Sequence, residues 1–138
     1  MSLNRTILIA LFAVLYSQIS LAQKPEENFE SFLKRFNADS SFQMSRILDS
    51  VIVVYTSDII VDDDGNGYTE NYEAPLAKTD WRVMKLENKE FSNWEINQLE
   101  NDIKQLTMAG KQSGVYVVIE FVLRDGLWFL RKYGDYST

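Results

Sequence analysis

One stretch of this chain has the residue types and spacing to hold a metal ion. Asp62-Asp63-Asp64-Gly65-Asn66-Gly67 is followed by five residues and then Glu73. That order matches the calcium-loop pattern at every position: oxygen-bearing residues alternate, a glycine turns the chain, and an acid closes the loop. Calcium takes about six to eight oxygen ligands. Asp62, Asp64, Asn66, the Tyr68 carbonyl, a water held by Glu70, and both oxygens of Glu73 make such a set. The flanks differ from the helix-loop-helix unit that usually carries the pattern. The preceding residues are strand-like, and Pro75 limits any helix after Glu73. Asp, Asn and Gly are also the residues that any long solvated turn prefers. A calcium loop and a plain acidic turn both stand.

The remaining candidates are aromatic and acidic. Tyr55, Tyr72, Trp81, Tyr116 and Trp128 lie in strand-like segments and could line a ligand pocket or fill a core. Glu120 interrupts an apolar strand. Facing inward, it becomes an acid or a ligand contact; facing outward, it has no special role. Arg46 is placed to brace the helical region against a carboxylate. The chain has no histidine and no cysteine. Catalytic triads, histidine- or cysteine-bound zinc, thiolate chemistry and disulfides are therefore excluded. Catalysis would fall to Asp, Glu, Tyr and Lys.

These residues need a scaffold, and the chain supplies one of ordinary size. It has 138 residues, of which 46% are hydrophobic and 13% aromatic, enough for one packed core. Asn4 and Arg5 precede an apolar run from Ile7 to Leu15, and Ser20-Leu21-Ala22 follows the small-x-small cleavage pattern. Residues 1–22 read as a signal peptide, cut after Ala22, with no lipid-accepting cysteine at the cut. The mature part, residues 23–138, reads as one domain, periplasmic or secreted, with no membrane span after cleavage. The net charge of −6 repels phosphate backbones and makes nucleic acid an unsuitable partner.

Pro25-Glu26-Glu27 suits a helix start, and Phe29, Phe32, Leu33 and Phe36 share one face. Asn37 is its stop. Ser40 and Gln43 form a capping box for a second short helix, with Phe42 and Ile47 facing the first. Strands are expected at Val51–Tyr55, at Ile59–Val61 and at Trp81–Leu86, the last broken at Asn88. Residues 92–109 fit either a helix capped by Ser92 and Glu95 or two strands turning at Glu100-Asn101-Asp102. Val115–Leu123 and Leu127–Tyr133 form a hairpin across Asp125-Gly126. Helices followed by strands give an α+β fold, with N-terminal helices packed on an antiparallel sheet that ends in a long hairpin.

The segment Phe32–Phe36, then Asp39 and Phe42-Gln43-Met44-Ser45-Arg46-Ile47, resembles the start of a bacterial family catalogued as domain of unknown function 4348. Trp81 and the closing hairpin Tyr116–Tyr133 are also similar. The resemblance covers nearly the whole mature chain and departs from the family at the acidic loop. It implies a nuclear-transport-factor-like, cystatin-like cone: a curved antiparallel sheet wrapped round the helices, with a pocket at its open end. It brings no activity, so it assigns no catalytic residue.

Three functions follow as expectations. The first is a non-enzymatic envelope domain binding a small ligand or an envelope protein through Tyr55, Trp81, Tyr116, Glu120 and Trp128. The second is an enzyme using carboxylates and tyrosines. The third is an interaction module stabilised by calcium at Asp62, Asp64, Asn66, Tyr68 and Glu73.

Overall fold

In the computed structural model, residues 25–57, 59–86, 91–110 and 114–137 are described. Residues 1–22, expected to be a signal peptide, and Asn88 lie outside them. Two helices, α1 (Phe29–Ala38) and α2 (Ser40–Ser45), precede the strands. These are β1 (Ile47–Thr56), β2 (Ile60–Val61), β3 (Gly67–Tyr68), β4 (Asn71–Ala77), β5 (Phe91–Glu100), β6 (Ile103–Gly110), β7 (Tyr116–Arg124) and β8 (Leu127–Asp135). Six of them form one large curved sheet in the order β4-β1-β8-β7-β6-β5. Strands β2 and β3 pair separately at the acidic loop.

The helix α1 starts at Phe29, later than Pro25. Its cap is Asn28, whose side chain accepts a bond from the Ser31 N–H at 2.9 Å. Residues 25–28 are held off the helix because the Glu27 N–H donates to the Gly126 carbonyl at 2.8 Å. The helix runs past Asn37 to Ala38. Asp39, not Ser40, caps α2, accepting from the Phe42 N–H at 2.9 Å. Its own N–H closes α1 on the Arg35 carbonyl.

Phe29, Phe32 and Phe36 put three rings edge-on to Phe121 of β7, with centroids 5.6, 5.3 and 5.4 Å away. Edge-to-face aromatic packing adds to the burial of large apolar area. Ile47 belongs to β1 rather than to the short helix, and it is buried in the same core.

The sheet is not wholly antiparallel: β1 runs parallel to β8. Both strands enter from the end where the Leu130 N–H donates to the Arg46 carbonyl at 2.8 Å. Residues 92–109 adopt the hairpin alternative, turning at Asn101-Asp102. Ile103, Leu106 and Met108 are buried while Ile96 and Leu99 are exposed, so no helical face is shared. Asp125 and Gly126 both take left-handed φ values, 51° and 77°, as a two-residue hairpin turn requires.

Trp81–Leu86 is not a strand. A 3-10 turn at Lys78–Asp80 leads into an irregular segment that crosses the core. Its main chain bonds to side chains from the helices. Gln43, fully buried, donates from Nε2 to the Phe36 and Met84 carbonyls at 3.1 and 2.9 Å and accepts the Met84 N–H at 2.8 Å. Asn37 Oδ1 accepts the Leu86 N–H at 2.7 Å. Buried backbone groups must find partners, and here two amide side chains take the place of a neighbouring strand. Gln43→Leu leaves the Met84 N–H and carbonyl without their partner. It is expected to cost at least about 2 kcal/mol in urea unfolding, with Trp81 fluorescence shifted to the red.

Candidate functional site

The helix-covered face of the sheet is filled with apolar side chains, and the opposite face carries the polar chemistry. A single irregularity in β8 arranges that face. Phe121 pairs with Leu130, but Glu120 pairs with Lys132, so Arg131 is an extra residue opposite Glu120. Such a bulge shifts the alternation of side chains and re-aims those beside it. Trp128 and Leu130 face the core before it, and Tyr133 packs on the core after it. Arg131 and Lys132 are both left on the outer face.

There Arg131 Nε lies 3.4 Å from Glu120 Oε2. The Lys132 ammonium donates to Glu73, which reaches it from β4. That bond is the largest effect and holds the Lys132 pKa above its ordinary range; burial opposes it, and the nearby Glu120 charge adds to the rise. Next to this cluster is a depression of about 380 Å³ lined by Gln105, Tyr116, Val118, Glu120, Lys132 and Tyr136. One wall is the pair Tyr116 and Tyr136, with ring centroids 6.1 Å apart. Gly134 makes this possible, since a Cβ there would lie 2.6 Å from the Tyr136 ring. The Tyr136 N–H donates to the Tyr116 carbonyl at 2.8 Å, which holds the chain end against β7.

Of the expected pocket residues, Tyr116 and Glu120 meet here and the other three do not. Glu120 takes the outward orientation, yet its side chain is only 12% exposed because Arg131 covers it. Trp128 is 1% exposed, edge-on to Phe29, and its indole N–H donates to the Glu27 carbonyl at 2.9 Å. It is a core residue. Trp81 lies in the core edge-on to Tyr133, and its indole N–H has no acceptor among the described residues. Burial, and then the Asp135 charge, push the Tyr133 phenol above its ordinary pKa. Tyr55 stacks on Tyr72 between β1 and β4, away from the depression. Sequence reasoning missed Lys132, Gln105 and Tyr136; only the adjacent charges Arg131-Lys132 within an apolar strand hinted at the bulge.

The calcium set is not gathered. Asp62 Oδ1 accepts the N–H groups of Asp64 and Asn66 at 3.0 and 2.8 Å, and Oδ2 accepts from the Asn66 side chain at 3.2 Å. These bonds hold the Asp62 carboxyl below its ordinary pKa. Tyr68 lies in β3, and Glu73 lies in β4 on Lys132. Among the described residues no three acids come together as a metal site. In this structure the segment is a turn tied by its own side chains. The carboxylate that Arg46 braces is Glu27, through two bonds of 2.8 and 3.1 Å.

Charged Lys132 and neutral Tyr133 both favour the fold. Their contribution is complete below about pH 10 and is lost as pH rises through their elevated folded-state pKa values. Glu73→Gln removes the larger cause at Lys132. Its cost is expected to be under about 1 kcal/mol, because Glu73 is 56% exposed. Urea midpoints should differ between variant and wild type at about pH 8 and converge as pH rises above the Lys132 value.

A crystal structure of an NTF2-like protein from Bacteroides fragilis superposes with a TM-score of 0.56 at 21% identity, over 83% of this chain and 49% of that one. This chain thus spans about half the length of that protein. The NMR structure of a protein from Bacteroides uniformis is 23% identical, with a TM-score of 0.46, over 80% of this chain and 77% of that one. No curated protein matches by sequence. A family model matches residues 27–137. The chain therefore belongs to the family which that model describes, an uncharacterised one with the NTF2-like fold.

Proposed function

We propose that this is an exported, non-enzymatic domain of the bacterial cell envelope that binds a small ligand on the outer face of its sheet. The observation that carries the reading is the depression itself. Two tyrosine rings form one wall, and Gln105, Glu120 and Lys132 converge beside them. Ligand sites combine apolar surface with a few placed polar groups, and this one does so on rigid strands. A flat-ringed polar molecule fits that chemistry. Its ring packs on Tyr116 and Tyr136, and its hydroxyl, carbonyl or amine groups bond to Gln105, Glu120 and Lys132.

Other features support the rest of the reading. Export rests on Asn4, Arg5, the apolar run Ile7–Leu15 and the cleavage pattern ending at Ala22. Among the described residues no helix is long and apolar enough to cross a membrane. The assignment to domain of unknown function 4348 rests on Phe42–Ile47 and the closing hairpin. Binding is favoured over catalysis because Glu120 and Glu73 are each paired with a cation rather than with one another. Acid-base chemistry by two carboxylates needs them set against each other or kept apart from such neutralising partners.

The test is an NMR titration of the purified protein with a panel of monosaccharides and aromatic amines, alongside Tyr116→Ala. A binding panel member is expected to shift the Gln105, Tyr116 and Lys132 signals. Affinity should fall about tenfold in the variant, or about 1.4 kcal/mol. Equal affinity in the variant, or shifts confined to another surface, would contradict the reading.

A further inference from the structure

The sheet ends at β5, and that edge differs from its counterpart. The other edge, β4, is seven residues long and carries Pro75. Proline removes a main-chain donor and blunts an edge against pairing. The β5 edge is irregular near both ends but regular over residues 93–98, contains no proline, and has no strand beyond it among the described residues. A strand in that position presents a row of N–H and carbonyl groups outward.

The surface beside that row is shaped and charged. Trp94 and Ile96 point to the helix-bearing face and remain 42% and 45% exposed. With Leu33, Glu30, Lys34 and Asn37 of α1 they line a groove of about 240 Å³. Lys34 and Asn37 also line a second hollow, of about 480 Å³, which adds Ala38 and Lys85. The two hollows therefore adjoin. Neither Lys34 nor Lys85 has a carboxylate partner among the described residues, although the chain carries a net charge of −6. By strand alternation Glu95 and Asn97 point to the other face, so the acid lining the groove is Glu30, one turn before Lys34, while the hollow of Lys34 and Lys85 is lined by no acid.

We infer that this edge receives an extended peptide as an added strand. The peptide places an apolar side chain on Leu33, Trp94 and Ile96 and a carboxylate toward Lys34 and Lys85. Main-chain bonding to β5 supplies affinity that is indifferent to sequence. The groove and the lysines select alternate side chains, as in other cases where a peptide extends a sheet. This surface lies on the opposite side of the sheet from the Tyr116–Lys132 depression, so either reading can fail without the other.

The probe is acetyl-Thr-Val-Thr-Val-Thr-Asp with a free C-terminus, titrated into the purified, isotope-labelled protein and followed by NMR. The expected result is shifts in the β5 amides and the Trp94 indole, with slowed amide exchange along β5. Binding should weaken about tenfold in Lys34→Glu/Lys85→Glu, equivalent to about 1.4 kcal/mol, and vanish in Ile96→Arg. All three side chains are exposed or lie at the groove, so the variants keep their cores. A peptide amidated at its C-terminus separates the terminal carboxylate from that of the aspartate. Absence of β5 shifts at millimolar peptide would overturn the inference. So would equal binding of a peptide N-methylated at alternate residues, or self-association through β5 without peptide uptake.

Discussion

One extra residue in the last strand decides what the outer face of this protein can do. Without Arg131 as a bulge, alternation from Trp128 and Leu130 would turn Lys132 into the apolar core and Tyr133 out of it. A lysine there would be a buried charge without a partner, a cost far larger than one ladder irregularity. With the bulge, Lys132 lies between Glu73 and Glu120 while Tyr133 packs against Trp81. The depression, its charges and its tyrosine wall follow from that shift. Gly134 then lets the Tyr136 ring settle over the strand.

The core accepts this arrangement because its other side is held independently. Three phenylalanines of α1 close on Phe121, and the Glu27–Arg46 pair fastens the chain ahead of α1 to the start of β8. Gln43 and Asn37 carry the crossing segment Trp81–Leu86 by its main chain. Helix, crossing segment and sheet are thus joined by side chain-to-main chain bonds at positions where no ladder exists. The fold is NTF2-like, and Trp81 and Leu86 are buried in the core between helices and sheet. The Glu73–Glu120–Lys132 cluster lies on the outside of the sheet.

Much of this was legible in the residues. The phenylalanine spacing of α1, the strand at Val51–Tyr55 and the Asp125-Gly126 hairpin follow local rules that tertiary structure does not override. Other features depend on partners distant in sequence. Trp81–Leu86 has strand-like composition, and only the Gln43 and Asn37 side chains reveal why it joins no sheet. The parallel pairing of β1 with β8 leaves no local mark, because alternation is the same in either direction. The calcium pattern has a related long-range feature: Glu73, its twelfth position, lies in a strand and bonds Lys132 from the far end of the chain. Tyr116 stood out as a strand aromatic and Glu120 as a charge interrupting an apolar strand, and both line the depression. Lys132 was missed because finding it requires locating the bulge.

The most direct test of this account is cross-relaxation between side-chain protons of the labelled protein in solution. The bulge places the Tyr133 ring protons within reach of the Trp81 indole and the Lys132 methylenes near those of Glu120. Those two sets of cross-peaks are the predicted result. Cross-peaks from Lys132 to Trp81, with Tyr133 close to Glu120 instead, would mean that the strand continues without the bulge, and the proposed site would not exist.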